Sequence, residues 1–334
     1  MTVGIGIVGA GVMGADHARI LKEGVAGARL VGLYDADRPR ADRVAAEAAA
    51  ERIFDSAEQL IADPAVGAVL VAAPDETHAR LVTACIDRGK PVLCEKPLAA
   101  SLGECRDVIA REVAGGRRLV QVGYMRRFDP GYQAMKQGLA EGSLGAPLMM
   151  HCVHRNAVAP QYITSELVIA NSMVHEFDVA RFVLGEDFVA ATVISPRASR
   201  NAPARRPQFA VLETAGGTVV DIESYLDVRY GYDVRAELVC ENGTLSLAPH
   251  PPVAVRRDGR DGFALHPDWR GRFVDAYRGQ LRAWVVAIES GTPSAGSSAW
   301  DGYVASATAS ACLEALRVGA KVEVSLEARP GLYD

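Results

Sequence analysis

A chain of 334 residues, 49% of them apolar, is long enough to bury two cores rather than one. Its formal net charge of −5 offers no basic surface to a nucleic-acid backbone or an anionic membrane, so the expected partner is a small molecule. No apolar run approaches the roughly 20 residues of a spanning helix, and no cationic region precedes an apolar stretch with a cleavage site, so a cytoplasmic location is expected.

Val3 to Val8 is a short apolar run of the kind buried on both faces of a parallel sheet, and Val12 to Leu21 has the pattern of a helix following it. Gly9, Gly11 and Gly14 mark the strand-to-helix turn. There Gly9 allows a tight turn, Gly11 lets a pyrophosphate approach the backbone, and Gly14 lets the helix pack closely on the strand. The free N–H groups and positive end of that helix then face the phosphates. The next apolar run, Leu30 to Tyr34, ends in Asp35, 21 residues after Gly14, close to the spacing of a carboxylate that binds the adenosine ribose. The expected cofactor is a dinucleotide. Because the carboxylate would repel a 2′-phosphate, NAD is favoured over NADP unless Arg38 or Arg40 compensates.

The alternation continues. "AEQLIADPAVGAVLVAAP" reads as a helix, a turn at Asp63-Pro64 and a strand over Ala68 to Ala73, and "THARLVTACIDRGKPVLCEKP" as another helix and strand. "SLGECRDVIAREVAGGRRLVQVGY" repeats the pattern, with Ser101 as N-cap and Gly115-Gly116 as the stop. Such alternation predicts an N-terminal Rossmann domain over residues 1–123, an α/β doubly wound parallel sheet with ligands beyond the carboxyl ends of its strands. Ala73-Pro74, Glu95-Lys96-Pro97 and Gly123-Tyr124-Met125 lie at those ends. The cofactor-binding set is therefore expected to be Gly9, Gly11, Val12, Met13, Gly14, Asp35, Ala73, Pro74, His78, Glu95 and Lys96.

After Pro147 the rhythm changes to successive strands, with Val220 and Ile222 turned in, Asp221 and Glu223 turned out, and turns at Ala215-Gly216-Gly217 and Glu241-Asn242-Gly243. Residues 124–334 are expected to form an α+β domain with an open-faced, mainly antiparallel sheet and helices over Ser172–Leu184, Trp269–Glu289 and Trp300–Arg317. The basic segment "SPRASRNAPARRPQ" reads as a solvated loop. Cys85, Cys94, Cys105, Cys152, Cys240 and Cys312 are scattered, with no metal-ligand spacing to histidine, and read as buried free thiols; no metal is expected.

These stretches, from "GIVGAGVMGADHA" through "AAPDETHA", "VLCEKPLA", "GYMRRFDPGY", "GAPLMMHCVHRN", "MVHEFDVARFVLG" and "YGYDVRAELVCENGT" to "AWDGYVA", resemble the Gfo/Idh/MocA oxidoreductases nearly end to end. MRRFDP, HRN and YGYD are similar to the inositol dehydrogenase branch. The resemblance implies a Rossmann domain joined to a substrate-binding and oligomerisation domain, a homo-tetramer formed through the sheet, and NAD-dependent oxidation of a ring secondary alcohol of a myo-inositol-like cyclitol.

Residue by residue, it implies that Lys96 touches the nicotinamide ribose and the reacting oxygen, and that His175 takes the hydroxyl proton. Chemistry agrees: histidine suits proton transfer near neutrality, and an ammonium stabilises a developing alkoxide. The chain departs from its relatives at Asn171, where aspartate usually completes a Lys-Asp-His set. On a regular helix Asn171 would share a face with His175 but could not ionise, and Asp178 could take part of that role. Substrate contacts are expected from Met125, Arg126, Asn156, Asn171, His175, Asp178 and Tyr232, with Arg127 equally readable as structural and His154 as a strand residue. An aminocyclitol or sugar dehydrogenase, an NAD-dependent glycoside hydrolase and a non-catalytic NAD(H) sensor remain open at this level.

Overall fold

In the first part of the chain, apolar runs too short for helices alternate with amphipathic stretches, and each run becomes a strand buried on both faces. The computed structural model of the protein describes residues 2–248 and 253–334. Here β1 (Val3–Val8), β2 (Ala28–Tyr34), β3 (Arg52–Ile53), β4 (Ala68–Val71), β5 (Val92–Cys94) and β6 (Val120–Val122) alternate with α1 (Val12–Gly24), α2 (Arg38–Ala48), α3 (Ala57–Ala62), α4 (His78–Asp87) and α5 (Leu102–Gly115). The strands form one parallel sheet in the order β3-β2-β1-β4-β5-β6. Its order reverses between β1 and β4, the place where such sheets open a crevice for ligands. Every residue of β4 is buried. The helix signals hold: the Ser101 hydroxyl accepts the Glu104 N–H, and Gly116 ends α5 at φ 64°.

Set beside the expected division at residue 123, the compact units are discontinuous in the chain. One compact unit holds the chain up to Met125 together with Tyr277–Tyr303 and Glu327–Asp334, and the other holds Arg126–Ala276 and Val304–Leu326. The late segments carry anchors for the first unit that local pattern cannot reveal. Trp284 and Trp300 are buried, Ser297 pairs with Val122, and the Tyr333 hydroxyl donates to Glu112, a carboxyl that burial pushes up from its ordinary value.

In the second unit α6 (Pro130–Ala140) precedes β7 (Pro147–Arg155), and α7 (Ser165–Leu167) runs into a π-helical turn over Val168–Met173 and then α8 (Val174–Leu184). The strands β8 (Phe188–Ile194), β9 (Gln208–Thr214), β10 (Val219–Tyr225), β11 (Asp233–Cys240) and β12 (Gly243–Ser246) follow, with a separate hairpin of β13 (Ala254–Arg257) and β14 (Arg260–Phe263). After α9 (Trp269–Ser290) and α10 (Ala299–Val318), β15 (Val322–Glu323) completes a seven-stranded sheet in the order β12-β11-β7-β10-β9-β8-β15. Only the β7–β10 pair in it is parallel. Period-2 alternation survives: Val220 and Ile222 are fully buried, whereas Asp221 and Glu223 are half-buried on the opposite face.

Two further expectations change. The predicted helix over Ser172–Leu184 is preceded by the π turn, whose wider i→i+5 ladder alters the regular four-residue relation of Asn171 to His175. The basic segment is not wholly solvated, since Arg205 is 8% exposed, pairs with Asp227 at 2.6 Å and donates to the carbonyls of Ala159, Pro160 and Ile163. A cation with all of its donors engaged inside the fold is what makes that burial tolerable.

Candidate functional site

In the first unit, a cleft of about 530 Å³ opens at the switch between β1 and β4, lined among others by Gly9, Gly11, Asp35, Arg40, Ala73 and Pro74. The three glycines divide the labour by geometry. Gly9 has φ 97° and a Cβ on it would lie 2.3 Å from the Ala72 carbonyl oxygen; a Cβ on Gly14 would lie 1.9 Å from the Gly9 oxygen. A Cβ on Gly11 would meet nothing within 4 Å. Fold therefore requires Gly9 and Gly14, while bare backbone at Gly11 leaves a cradle at the start of α1 open to a phosphate. Val12, 60% exposed, and half-buried Met13 follow Gly11 as the first residues of α1.

Asp35, at the end of β2, is set by the loop it faces: Oδ2 accepts the Ala10 N–H at 2.6 Å and Oδ1 the Asp37 N–H at 2.8 Å. Arg40 approaches it to 3.6 Å, whereas Arg38 is engaged by Asp42 and Asp55. Two of the expected cofactor contacts have other work. His78 is 1% exposed, with Nδ1 2.7 Å from the Pro97 carbonyl oxygen and Nε2 2.9 Å from that of Ala73. Glu95 is 6% exposed, with Oε1 2.8 Å from His17 Nε2 and Oε2 accepting the Lys96 N–H at 3.3 Å. Lys96 is half-buried beyond β5, in the loop of the cis Lys96-Pro97 peptide. Met125 is buried in this same unit.

The second unit gathers a different set. Arg126, 1% exposed, pairs with Glu176 and approaches His154 Nδ1 to 3.3 Å; Glu176, fully buried, lies 3.0 Å from the same His154 nitrogen. Burial works to raise the Glu176 carboxyl, but the Arg126 guanidinium and His154 outweigh it and hold it below the ordinary carboxylate range. Arg126 stacks 5.3 Å above the Phe273 ring. His154 in turn packs edge-on to Tyr232 at 5.9 Å and lies 6.4 Å from the His175 ring. Burial pushes the Tyr232 phenol up, so it remains a neutral hydroxyl. The Asn156 side-chain oxygen is buried without a protein partner among the described residues. His175 and Asn171 are half-buried.

Two expected substrate contacts have ionic partners within the protein. Arg126 is committed to Glu176 and His154, and Asp178 is fully buried with Arg127 spanning both of its oxygens at 2.6–3.1 Å. Both charges are balanced inside the protein, while the Nε of Arg126 is buried without a partner among the described residues. The reading of Arg127 as structural fits this pair. Sequence reasoning missed His17 and Glu176, although each stands inside a quoted motif, in "GADHA" and "MVHEFD". Among the described residues no cluster of histidine, cysteine or acidic side chains could hold a metal ion, and all six cysteines are buried and free.

A GFO/IDH/MocA family model described as an oxidoreductase family with an NAD-binding Rossmann fold matches residues 3–124, and that of the GFO/IDH/MocA C-terminal domain matches residues 132–246. Inositol 2-dehydrogenase 1 of Saccharopolyspora erythraea is 54% identical over 336 residues, spanning 100% of this chain and 99% of that protein. Inositol 2-dehydrogenase of Agrobacterium fabrum is 42% identical and the match covers both chains completely. Among solved structures, myo-inositol dehydrogenase from Lactobacillus casei in complex with NAD(H) and myo-inositol superposes with a TM-score of 0.96 at 29% identity, covering 100% of each chain.

Proposed function

The chain belongs to the Gfo/Idh/MocA oxidoreductase family, and from that premise we propose that it is an NAD-dependent dehydrogenase oxidising a ring secondary alcohol of a myo-inositol-like cyclitol to the ketone. The observation that carries the reading is the full-length likeness to inositol 2-dehydrogenases. The residues agree with it. NAD, when bound, supplies the hydride acceptor. The open backbone at Gly11 and the start of α1 suit its pyrophosphate, and the Asp35 carboxylate suits a ribose diol and opposes a 2′-phosphate.

Oxidation of an alcohol frees the hydroxyl proton, which His175 accepts as general base, while the Lys96 ammonium stabilises the negative charge growing on the oxygen. The Tyr232 hydroxyl and the unpartnered Asn156 oxygen offer a neutral donor and acceptor to the other hydroxyls of the ring. Asn171 stands where the third catalytic group of relatives is expected, and supplies an amide in place of a charge. Apolar side chains on the second sheet, with Leu148, Met149, Val189 and Ile194 each at least 41% exposed, suit assembly into a homo-tetramer. The free cysteines suit the cytoplasm.

The test is NADH formation, followed by absorbance, with myo-inositol, scyllo-inositol, an aminocyclitol and glucose, each with NAD and with NADP. Net NADH from a cyclitol with NAD is the expected result. Preference for glucose or the aminocyclitol would replace the substrate assignment, and turnover without net NADH would mean a hydrolase that recycles its cofactor. Lys96→Ala is expected to lower kcat by about 10² while NADH affinity holds, as for a positioned electrostatic donor.

A further inference from the structure

We infer that His17 and His78 are positioning residues that clamp Lys96 from both sides, one through the residue before it and one through the residue after it. The inference rests on the catalytic reading of Lys96 and adds how that lysine is kept in place. Lysine carries its charge on a flexible four-carbon stem, so the ammonium is only as well placed as the backbone beneath it. That backbone lies beyond β5, outside regular structure. Ladder hydrogen bonds hold it as far as Glu95, whose N–H donates to Val71, and end there.

Two buried imidazoles take over. His17 follows Gly14 by three residues on α1, is fully buried, and brings Nε2 to 2.8 Å from Glu95 Oε1. Nδ1 is buried with no hydrogen-bond partner among the described residues, so the ring's one polar contact there is Glu95. The other carboxylate oxygen accepts the Lys96 N–H, so the grip passes directly to residue 96.

From the far side, His78 at the start of α4 brings one ring nitrogen to the Pro97 carbonyl and the other to the Ala73 carbonyl. Carbonyl oxygens only accept; a neutral imidazole makes one of these bonds and the imidazolium makes both. His78 therefore stands between the loop after Lys96 and the loop after β4 that lines the dinucleotide cleft, within hydrogen-bond distance of both. The helix that presents bare backbone to the pyrophosphate and the segment that walls the cleft thus also set where Lys96 stands. Buried hydrogen bonds of this kind, in a low-dielectric surrounding, rigidify what they hold.

The experiment compares His17→Leu, His78→Leu and Lys96→Ala in the full-length protein, measuring kcat with the best cyclitol, NADH affinity by fluorescence titration, and thermal unfolding. Each leucine variant is expected to lower kcat about tenfold or more, since a misplacement of about 1 Å can cost up to about 10² in rate. NADH affinity should hold within about threefold, because Gly11 and Asp35 are untouched. His17→Gln, whose amide can still donate to Glu95, should recover most of the lost kcat. A structural role alone would lower the melting point and the fraction of NADH-binding protein together, without that recovery.

Should the leucine variants not fold, Gly123→Ala provides a second approach: its Cβ would lie 2.9 Å from Glu95 Oε2, displacing that carboxylate without touching either histidine. It is expected to lower kcat while NADH still binds. Folded histidine variants or Gly123→Ala with unchanged kcat, beside a crippled Lys96→Ala, would overturn the clamp. An unchanged Lys96→Ala would instead remove the catalytic reading of Lys96 on which the clamp depends.

Discussion

In the first unit the groups offered to a ligand are largely backbone, bared by Gly11 and aimed by α1, and the residues that shape them lie close together in the chain. In the second unit the polar groups are side chains, and the buried cluster of Arg126, His154, Glu176 and Tyr232 is drawn from four separate places: a 3₁₀ turn at Met125–Phe128, β7, α8 and the approach to β11. Backbone recognition needs small residues at fixed spacing and little charge. A side-chain cluster buried this deeply needs ions that neutralise one another, and its integrity depends on every member.

The largest effect expected from that difference is at Glu176. Glu176→Ala leaves Arg126 charged and buried without its carboxylate, and should cost about 3–5 kcal/mol, read by urea or thermal unfolding. A loss below about 1 kcal/mol would mean that the cluster is no more demanding than an exposed pair. Its pH dependence has a definite sign. Because the folded Glu176 carboxyl is held below its ordinary value, its contribution is complete above about pH 4.3 and fades as the pH falls through the folded value. Wild type should therefore lose stability on acidification more steeply than Glu176→Gln.

The glycines sharpen the comparison from the other side. Gly14→Ala must displace the Gly9 carbonyl and should destabilise by roughly 1–3 kcal/mol, as overpacking does. Gly11→Ala should stay within about 0.5 kcal/mol of wild type in stability. It should still weaken NAD binding, because its Cβ enters the open cradle. Equal stability losses in the two variants, by thermal unfolding, would erase the distinction between a glycine needed for fold and one needed for ligand.

Asp35→Ser is expected to narrow the preference for NAD over NADP by about tenfold, since removing a like charge from a phosphate relieves repulsion worth that much or more. Arg40, already 3.6 Å from Asp35, is the cation placed to benefit. Steady-state kcat/KM with both cofactors measures this, and a wild type that prefers NADP would refute the role of Asp35. The smallest effect is expected at position 171. Asn171→Asp should shift the acid limb of the pH–rate profile for oxidation upward by up to about one unit, because a carboxylate near an imidazole favours its charged form. Coincident profiles would show that the π turn over Val168–Met173 keeps residue 171 from influencing His175.

Local rules reach far in the first unit. The Gly9-Gly11-Gly14 turn, Asp35 at the end of its strand and the Ser101 cap are written in short stretches, because each depends on backbone conformation within a few residues. Alternation of apolar and polar residues likewise shows which faces of β10 and β11 turn inward, whereas β9 buries Gln208 and Thr214 and turns Phe209 and Val211 outward against any such pattern. Tertiary structure alone decided what depends on distance in space. It returned Tyr277–Tyr303 and Glu327–Asp334 to the first unit. It also gave Arg126 to Glu176 and Asp178 to Arg127, and turned His17 and His78 toward the loop of Lys96. A charged side chain reads alike in a sequence whether it will meet a ligand or a buried counter-ion. Only the partner that folding brings to it, across 50 residues for Arg126 and Glu176 and 78 for His17 and Glu95, settles which.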